Sequence, residues 1–238
     1  MKLRYVTFTG ADDTTSIEDL VELSREYPKV EWGVLLSENS MGNKARFPCR
    51  SWMDNLAAYL DLRGVPVNLS GHLCGTWMRR IVSMGVTQDA AHGVGPLWTH
   101  FQRLQINFAG SENIVTPFMD KAFLDVVDKR WILQNRNHGW VAPTIQRYGD
   151  KRLHVLGDHS GGRGVLPQSW TPQFMSEVEM YGYAGGLSPE NIGEQIELIA
   201  KVSEGREFWI DMESGIRTSE KFDLKKVQAV LEILKPYL

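Results

Sequence analysis

The chain has 238 residues, 42% of them hydrophobic and 23% charged, which allows one large domain or two small ones and supplies enough apolar material for a full core. Its formal net charge of −3 makes no electrostatic case for nucleic acid or an anionic membrane surface. No apolar run reaches the roughly eighteen residues that a bilayer span requires.

Two cysteines, Cys49 and Cys74, form no disulfide framework, which predicts a reducing, cytoplasmic setting. The N-terminal MKLRYVTFTG lacks the apolar core and cleavage site of a signal peptide and reads as a first strand.

Short apolar runs of strand length alternate with longer amphipathic segments. LRYVTFT (3–9) reads as a strand. Ser16 then caps a helix whose Ile17, Leu20, Val21 and Ser24 share one face. EWGVLL (31–36) is a second strand, followed by a polar loop and a helix carrying Trp52, Leu56, Tyr59 and Leu60. VPVNLSG (65–71) is a third, with Trp77, Arg80 and Ile81 in the helix behind it, and RLQINF (103–108) a fourth.

Phe118, Phe123, Val126 and Val127 are assigned to the next helix, and WILQ (131–134) to a fifth strand. RLHVLG (152–157) and EMYGYAG (179–185) are the sixth and seventh, and Ser188-Pro189-Glu190 opens a helix with Ser as cap and Pro in its first position. REFWIDM (206–212) is the eighth strand, and Leu224, Val227, Val230, Leu231 and Leu234 mark the last helix. Eight strand-plus-helix units predict an α/β fold, a (β/α)8 barrel formed as one domain over residues 1–238. The alternative is a doubly wound open sheet, but the turn after the first strand, Thr9-Gly10-Ala11, carries no G-x-G-x-x-G.

In such a barrel the chemistry sits at the C-terminal strand ends. That selects Thr9, Asp12, Glu38, Asn39, His72, Cys74, Asn107, Gln134, Asp158, His159, Asp211 and Glu213. The last three strands also end in glycine: Gly161, Gly162 and Gly164 after the sixth, Gly185 and Gly186 after the seventh, Ser214 and Gly215 after the eighth. Glycine loops backed by helix N-termini expose N–H groups to an anion, and barrels often hold phosphate there. The alternative is three tight turns with no ligand.

Several of these segments resemble phosphoribosylanthranilate isomerase. LHVLGDHSGGRGVLPQSW resembles that family's Asp-ended sixth strand with its G-G-x-G turn, and YAGGLSPENI its A-G-G-L-x-P-x-N-V. IDMESGIRTSEKFDLKKVQAVL is similar to its D-x-S-S-G-V-E segment, and LQINF to its Q-L-H-G. The match runs from about residue 103 to the C-terminus.

The resemblance implies an isomerase that moves a proton on a phosphorylated aminosugar by general acid–base catalysis, with no metal and no cofactor. Its partner is then a small phosphorylated metabolite, with neither nucleic acid nor a membrane involved. The sequence says nothing of oligomeric state. The family's acid falls on Asp158; the alternative is that this carboxylate caps the following turn. The family's base, a Cys ending the first strand, falls on Thr9, whose hydroxyl is far too weakly acidic to replace a thiolate. Substrates other than the family's own are therefore expected. The loop after the second strand is longer than the family's; the resemblance offers Arg46 as counterpart of the family's carboxylate-binding Arg, and the alternative is that Lys44 and Arg46 are solvated loop charges.

Cys74, Glu213 and Asp12 are the candidates for the missing base. His72 and Cys74, two apart, would share a strand face, so that His72 could lower the pKa of the Cys74 thiol. The alternative is a buried thiol and a hydrogen-bonded core histidine. Asp211 and Glu213 are likewise two apart, and Glu213 replaces a small polar residue next to the expected phosphate. It could bind a hydroxyl, act as base or repel phosphate. A metal held by His72, Cys74, His159 and Asp211 has no C-x-x-C or H-E-x-x-H spacing to support it. Two other functions compete with the isomerase: a barrel that binds a phosphorylated ligand without chemistry, and a lyase or aldolase. The second would need a strand-end lysine, and none is found.

Overall fold

A computed structural model describes residues 1–107, 121–122, 125–126, 128–135, 141–148, 152–158, 160, 163–171 and 178–238. Eight parallel strands close into a barrel in chain order: β1 (Leu3–Thr9), β2 (Val30–Leu36), β3 (Asn68–Leu73), β4 (Arg103–Ile106), β5 (Arg130–Asn135), β6 (Leu153–Asp158), β7 (Met180–Ala184) and β8 (Phe208–Met212). Closure is made by β1 pairing with β8, Val6 beside Ile210 and Thr7 beside Asp211. An open doubly wound sheet would leave those two edges free.

Eight α-helices have both ends among the described residues: α1 (Ile17–Glu26), α2 (Arg50–Arg63), α3 (Gly75–Met84), α4 (Gln88–Val94), α5 (Leu97–His100), α6 (Val141–Tyr148), α7 (Ile192–Val202) and α8 (Leu224–Leu234). No helix among these residues is long and apolar enough to cross a membrane.

Local chemistry sets several boundaries. Ser16 Oγ accepts from the Asp19 N–H at 3.2 Å and starts α1 as expected. Asp223 caps α8 by accepting from the N–H groups of Lys225 and Lys226. The expected Ser188 cap is displaced: α7 begins at Ile192 with Asn191 as its N-cap. The Asn191 amide is turned back, its Oδ1 accepting from the Ser188 N–H and its Nδ2 donating to the Gly186 carbonyl. That side-chain-closed loop takes up residues that a sequence pattern assigns to the first helical turn. β3 starts three residues later than expected and runs through His72 to Leu73. Of the helix expected over Phe118, Phe123, Val126 and Val127, only Val126 lies within the described residues.

The apolar faces of the helices pack on the outer faces of the strands, with Leu20, Leu56, Ile81, Ile196 and Val230 fully buried. The barrel interior is more polar than the branched apolar layers common to this fold. The fully buried Arg103 forks onto Glu31, Nε to Oε2 at 2.7 Å and Nη2 to Oε1, and Glu31 also accepts from Thr7 Oγ1 at 2.8 Å. The guanidinium lies between two rings, 4.7 Å from the centroid of Tyr5 and 4.5 Å from that of Trp209. Arg103 Nη1 is 3.3 Å from His154 Nδ1, and His154 Nε2 is 3.0 Å from Glu179. Burial works to protonate Glu31, yet the Arg103 charge and hydrogen bonds outweigh it and hold the carboxyl below its usual range.

Candidate active site

The C-terminal strand ends open into one cavity. The strands contribute Thr9, His72, Gln105, Gln134, Asp158 and Asp211 to its lining, and the loops after them Asn107, Ser160, Gly164, Gly185, Gly186, Glu213, Ser214 and Gly215. Among the described residues, no lysine or arginine lines the cavity.

β8 and β1 together build one buried acid. Asp211 is 8% exposed and accepts from Thr9 Oγ1 at 2.7 Å. Burial pushes its pKa up to about 8 against the pull of that hydrogen bond, and the charges of Glu213, Glu31 and Asp158 add to the rise. At neutral pH Asp211 is therefore the neutral acid. Asp158, closing β6, accepts from Gln134 Nε2 at 2.8 Å and from the Ser160 N–H and hydroxyl at 3.1 and 2.8 Å.

Gly33, on β2 between β1 and β3, leaves room for the Thr9 and His72 side chains over it. A Cβ there would stand 3.0 Å from the His72 ring and would run into Thr9 Oγ1. His72 is buried and shares a hydrogen bond with Ser70 Oγ at 3.0 Å. Burial drives its pKa down to about 4, so the imidazole is neutral at pH 7.

The expected residues divide in three. His72, Asn107, Asp158, Gly164, Gly185, Gly186, Glu213, Ser214 and Gly215 converge on the cavity. Cys74, Asp12 and Arg46 lie outside its lining. Gly161, Gly162 and His159 lie outside the described residues.

The His72–Cys74 reading needs correction. β3 ends at Leu73, so Cys74 sits off the strand as the residue before α3, and the i, i+2 rule no longer applies to it. Its thiol donates to the His72 carbonyl at 3.5 Å, and its sulfur accepts from Asn107 Nδ2 at 3.2 Å. A neutral imidazole also supplies no charge to favour a thiolate.

Asp12 is bound into the rim. Arg217 Nη2 donates to it at 2.8 Å, Thr14 Oγ1 at 2.7 Å and the Arg46 N–H at 3.0 Å. Burial opposes ionisation, but these bonds outweigh it and hold the carboxyl below its usual value, so it is a poor base. Arg46 adopts a left-handed backbone (φ 77°) that turns its N–H onto Asp12, while its side chain pairs with Glu213 at 2.7 Å and with Glu220 at 3.4 Å. Its charge is thus shared with two acids of this chain.

The glycine loops pack on one another. A Cβ on Gly186 would approach the Val165 carbonyl carbon to 2.7 Å, and one on Gly215 would approach Ser188 Cβ to 2.9 Å. Close backbone approach between the loops after β6, β7 and β8 is thus reason enough for those two glycines. Among the described residues no group of three or more His, Cys, Asp or Glu side chains is placed to hold a metal ion.

Two residues carry more of the site than the sequence reading assigned them. Asp211 entered only as a strand end and metal-ligand candidate, and Gln105 only within a strand. The available signal was period two: a polar side chain at an inward position of a barrel strand faces the cavity.

The fold and cavity define a closed (β/α)8 barrel with an acid- and amide-lined mouth at the strand ends. Solved structures similar to it include N-(5'-phosphoribosyl)anthranilate isomerase from Pyrococcus furiosus, 15% identical over 98% of both chains with a TM-score of 0.56. Phosphoribosyl anthranilate isomerase from Thermococcus kodakaraensis is 15% identical over 98% of this chain and 99% of its own, with a TM-score of 0.48. Pyruvate kinase from Pyrobaculum aerophilum is 10% identical over 99% of this chain and 72% of its own, with a TM-score of 0.55. At these identities the likeness is one of fold, and the fold is the one that the sequence resemblance implies. No protein-family model and no curated protein sequence matches the chain.

Proposed function

We propose that the protein is an acid–base isomerase of a small sugar-type substrate, with Asp211 and Asp158 as the proton-transferring pair. The observation that carries this reading is Asp211: a carboxylic acid at a strand end, buried, hydrogen-bonded to Thr9 and protonated up to about pH 8. Paired titratable groups held in different environments are how one site supplies both an acid and a base at neutral pH.

In the reaction, Asp158 takes the proton from the carbon next to the carbonyl while Asp211 gives its proton to the carbonyl or ring oxygen. The enol that forms is reprotonated at the neighbouring carbon, and the acid is restored from the hydroxyl. Electrons and protons balance within the substrate, so the step calls for no oxidant. This reading moves the acid role that resemblance places on Asp158 to Asp211, and gives Thr9 the task of orienting that acid. Phosphate on the substrate would lie against the Gly164, Gly186 and Ser214 wall.

The test is solvent-deuterium incorporation, followed by NMR, with ribose, ribose 5-phosphate and their amine adducts. Wild-type protein should label the carbon next to the carbonyl, and Asp211→Asn and Asp158→Asn should each abolish labelling. Labelling that persists in both variants would overturn the reading. Binding of ribose 5-phosphate without any labelling would favour the non-catalytic phosphate binder instead.

A further inference from the structure

Gln105 and Gln134 are 2% and 4% exposed and line the cavity from adjacent strands. Among the described residues, the Oε1 atom of each is buried without a hydrogen-bond partner. Two buried acceptors in one cavity with no protein donor are costly unless a donor on a bound molecule reaches them.

Their orientations are set by their neighbours. Gln134 must present Nε2 to Asp158, an acceptor, at 2.8 Å, which leaves Oε1 over. At Gln105 a directed chain does the same. The Cys74 thiol donates to the His72 carbonyl, Asn107 Nδ2 donates to the sulfur, and Gln105 Nε2 donates to Asn107 Oδ1 at 2.6 Å. Reversing either amide would put two acceptors or two donors face to face.

We infer that Gln105 and Gln134 form a donor-selecting floor that takes two neighbouring hydroxyls of a neutral polyol, resting on the sugar-type reading of the same cavity. The acceptors are neutral amide oxygens, which match O–H donors without requiring charge. A phosphate or carboxylate brought to the same place would face acceptors only. The hydroxyl-bearing end of the substrate therefore enters first, and any anionic group stays at the rim.

The test is equilibrium binding of ribitol, which has no carbonyl and undergoes no isomerisation, followed by protein-observed NMR or calorimetry, with inorganic phosphate as the comparison probe. Gln105→Met and Gln134→Met should each weaken ribitol binding by about tenfold, the loss of one hydrogen bond. A merely structural glutamine would leave ribitol binding unchanged on substitution. Failure of wild-type protein to bind ribitol, or equal binding by the Met variants, overturns the inference, as does phosphate binding that the Met substitutions weaken equally. Gln-dependent ribitol binding without deuterium labelling would leave the floor standing and remove the isomerase.

Discussion

Thr9 Oγ1 donates to Asp211 Oδ1 at 2.7 Å across the seam where β1 meets β8. This hydrogen bond favours the ionised form and so holds the pKa of Asp211 lower than burial alone would. Thr9→Val keeps the shape and removes the donor. The expected outcome is a further rise of the Asp211 pKa above about 8, read from the carboxyl carbon by NMR titration. A fall, or no change, would mean that the hydroxyl does not control the acid.

Asp211 also makes stability depend on pH. The neutral acid is the favoured folded form, so its contribution is complete below 3.8, where the unfolded chain is protonated too. It is lost as pH rises towards about 8, by an amount on the order of 5 kcal/mol. Asp211→Asn cannot ionise. Its stability relative to wild type should grow from about pH 4 to about pH 8 and then level off, as measured by urea unfolding across that range. The buried His72 acts in the opposite sense in both proteins, losing stability as pH falls from 6.5 to about 4. The difference between the two proteins therefore isolates Asp211.

The Arg103–Glu31 pair is buried on both sides. Removing one partner leaves an uncompensated charge inside the barrel. Arg103→Met and Glu31→Leu should each cost about 3–5 kcal/mol, and the double variant less than the sum. A double-mutant cycle by chemical denaturation checks this, and additive losses would argue against a coupled pair.

Gly33→Ala places a methyl against the His72 ring and Thr9 Oγ1. Both neighbours are buried, so their side chains must shift from their present places, at a cost of about 1–3 kcal/mol. Deuterium labelling should fall by more than stability does, because Thr9 carries the acid. Unchanged Tm and labelling would show that this part of the lining yields without consequence.

Much of the fold was legible from local pattern. β1 and α8 run over the expected residues, and Ser16 caps α1 through its own hydroxyl, because capping and hydrophobic period act over a few residues. The strand-end rule also brought His72, Asn107, Asp158 and Glu213 to one cavity. Cys74 and the Ser188 cap failed where the chain left regular geometry one or a few residues away from the expected point. Arg103 and Glu31 escaped notice because a charged pair inside a barrel is readable only once both strands are seen to face each other.

By itself the sequence determined eight strand-forming segments, their order and the residues at their ends, since these follow from alternation, capping and turn chemistry. The tertiary structure alone decided which of those ends act together. Barrel closure sets Thr9 against Asp211, 202 residues apart, and burial there keeps the acid protonated. Protonation state is a property of surroundings assembled from distant strands, and no single segment contains it.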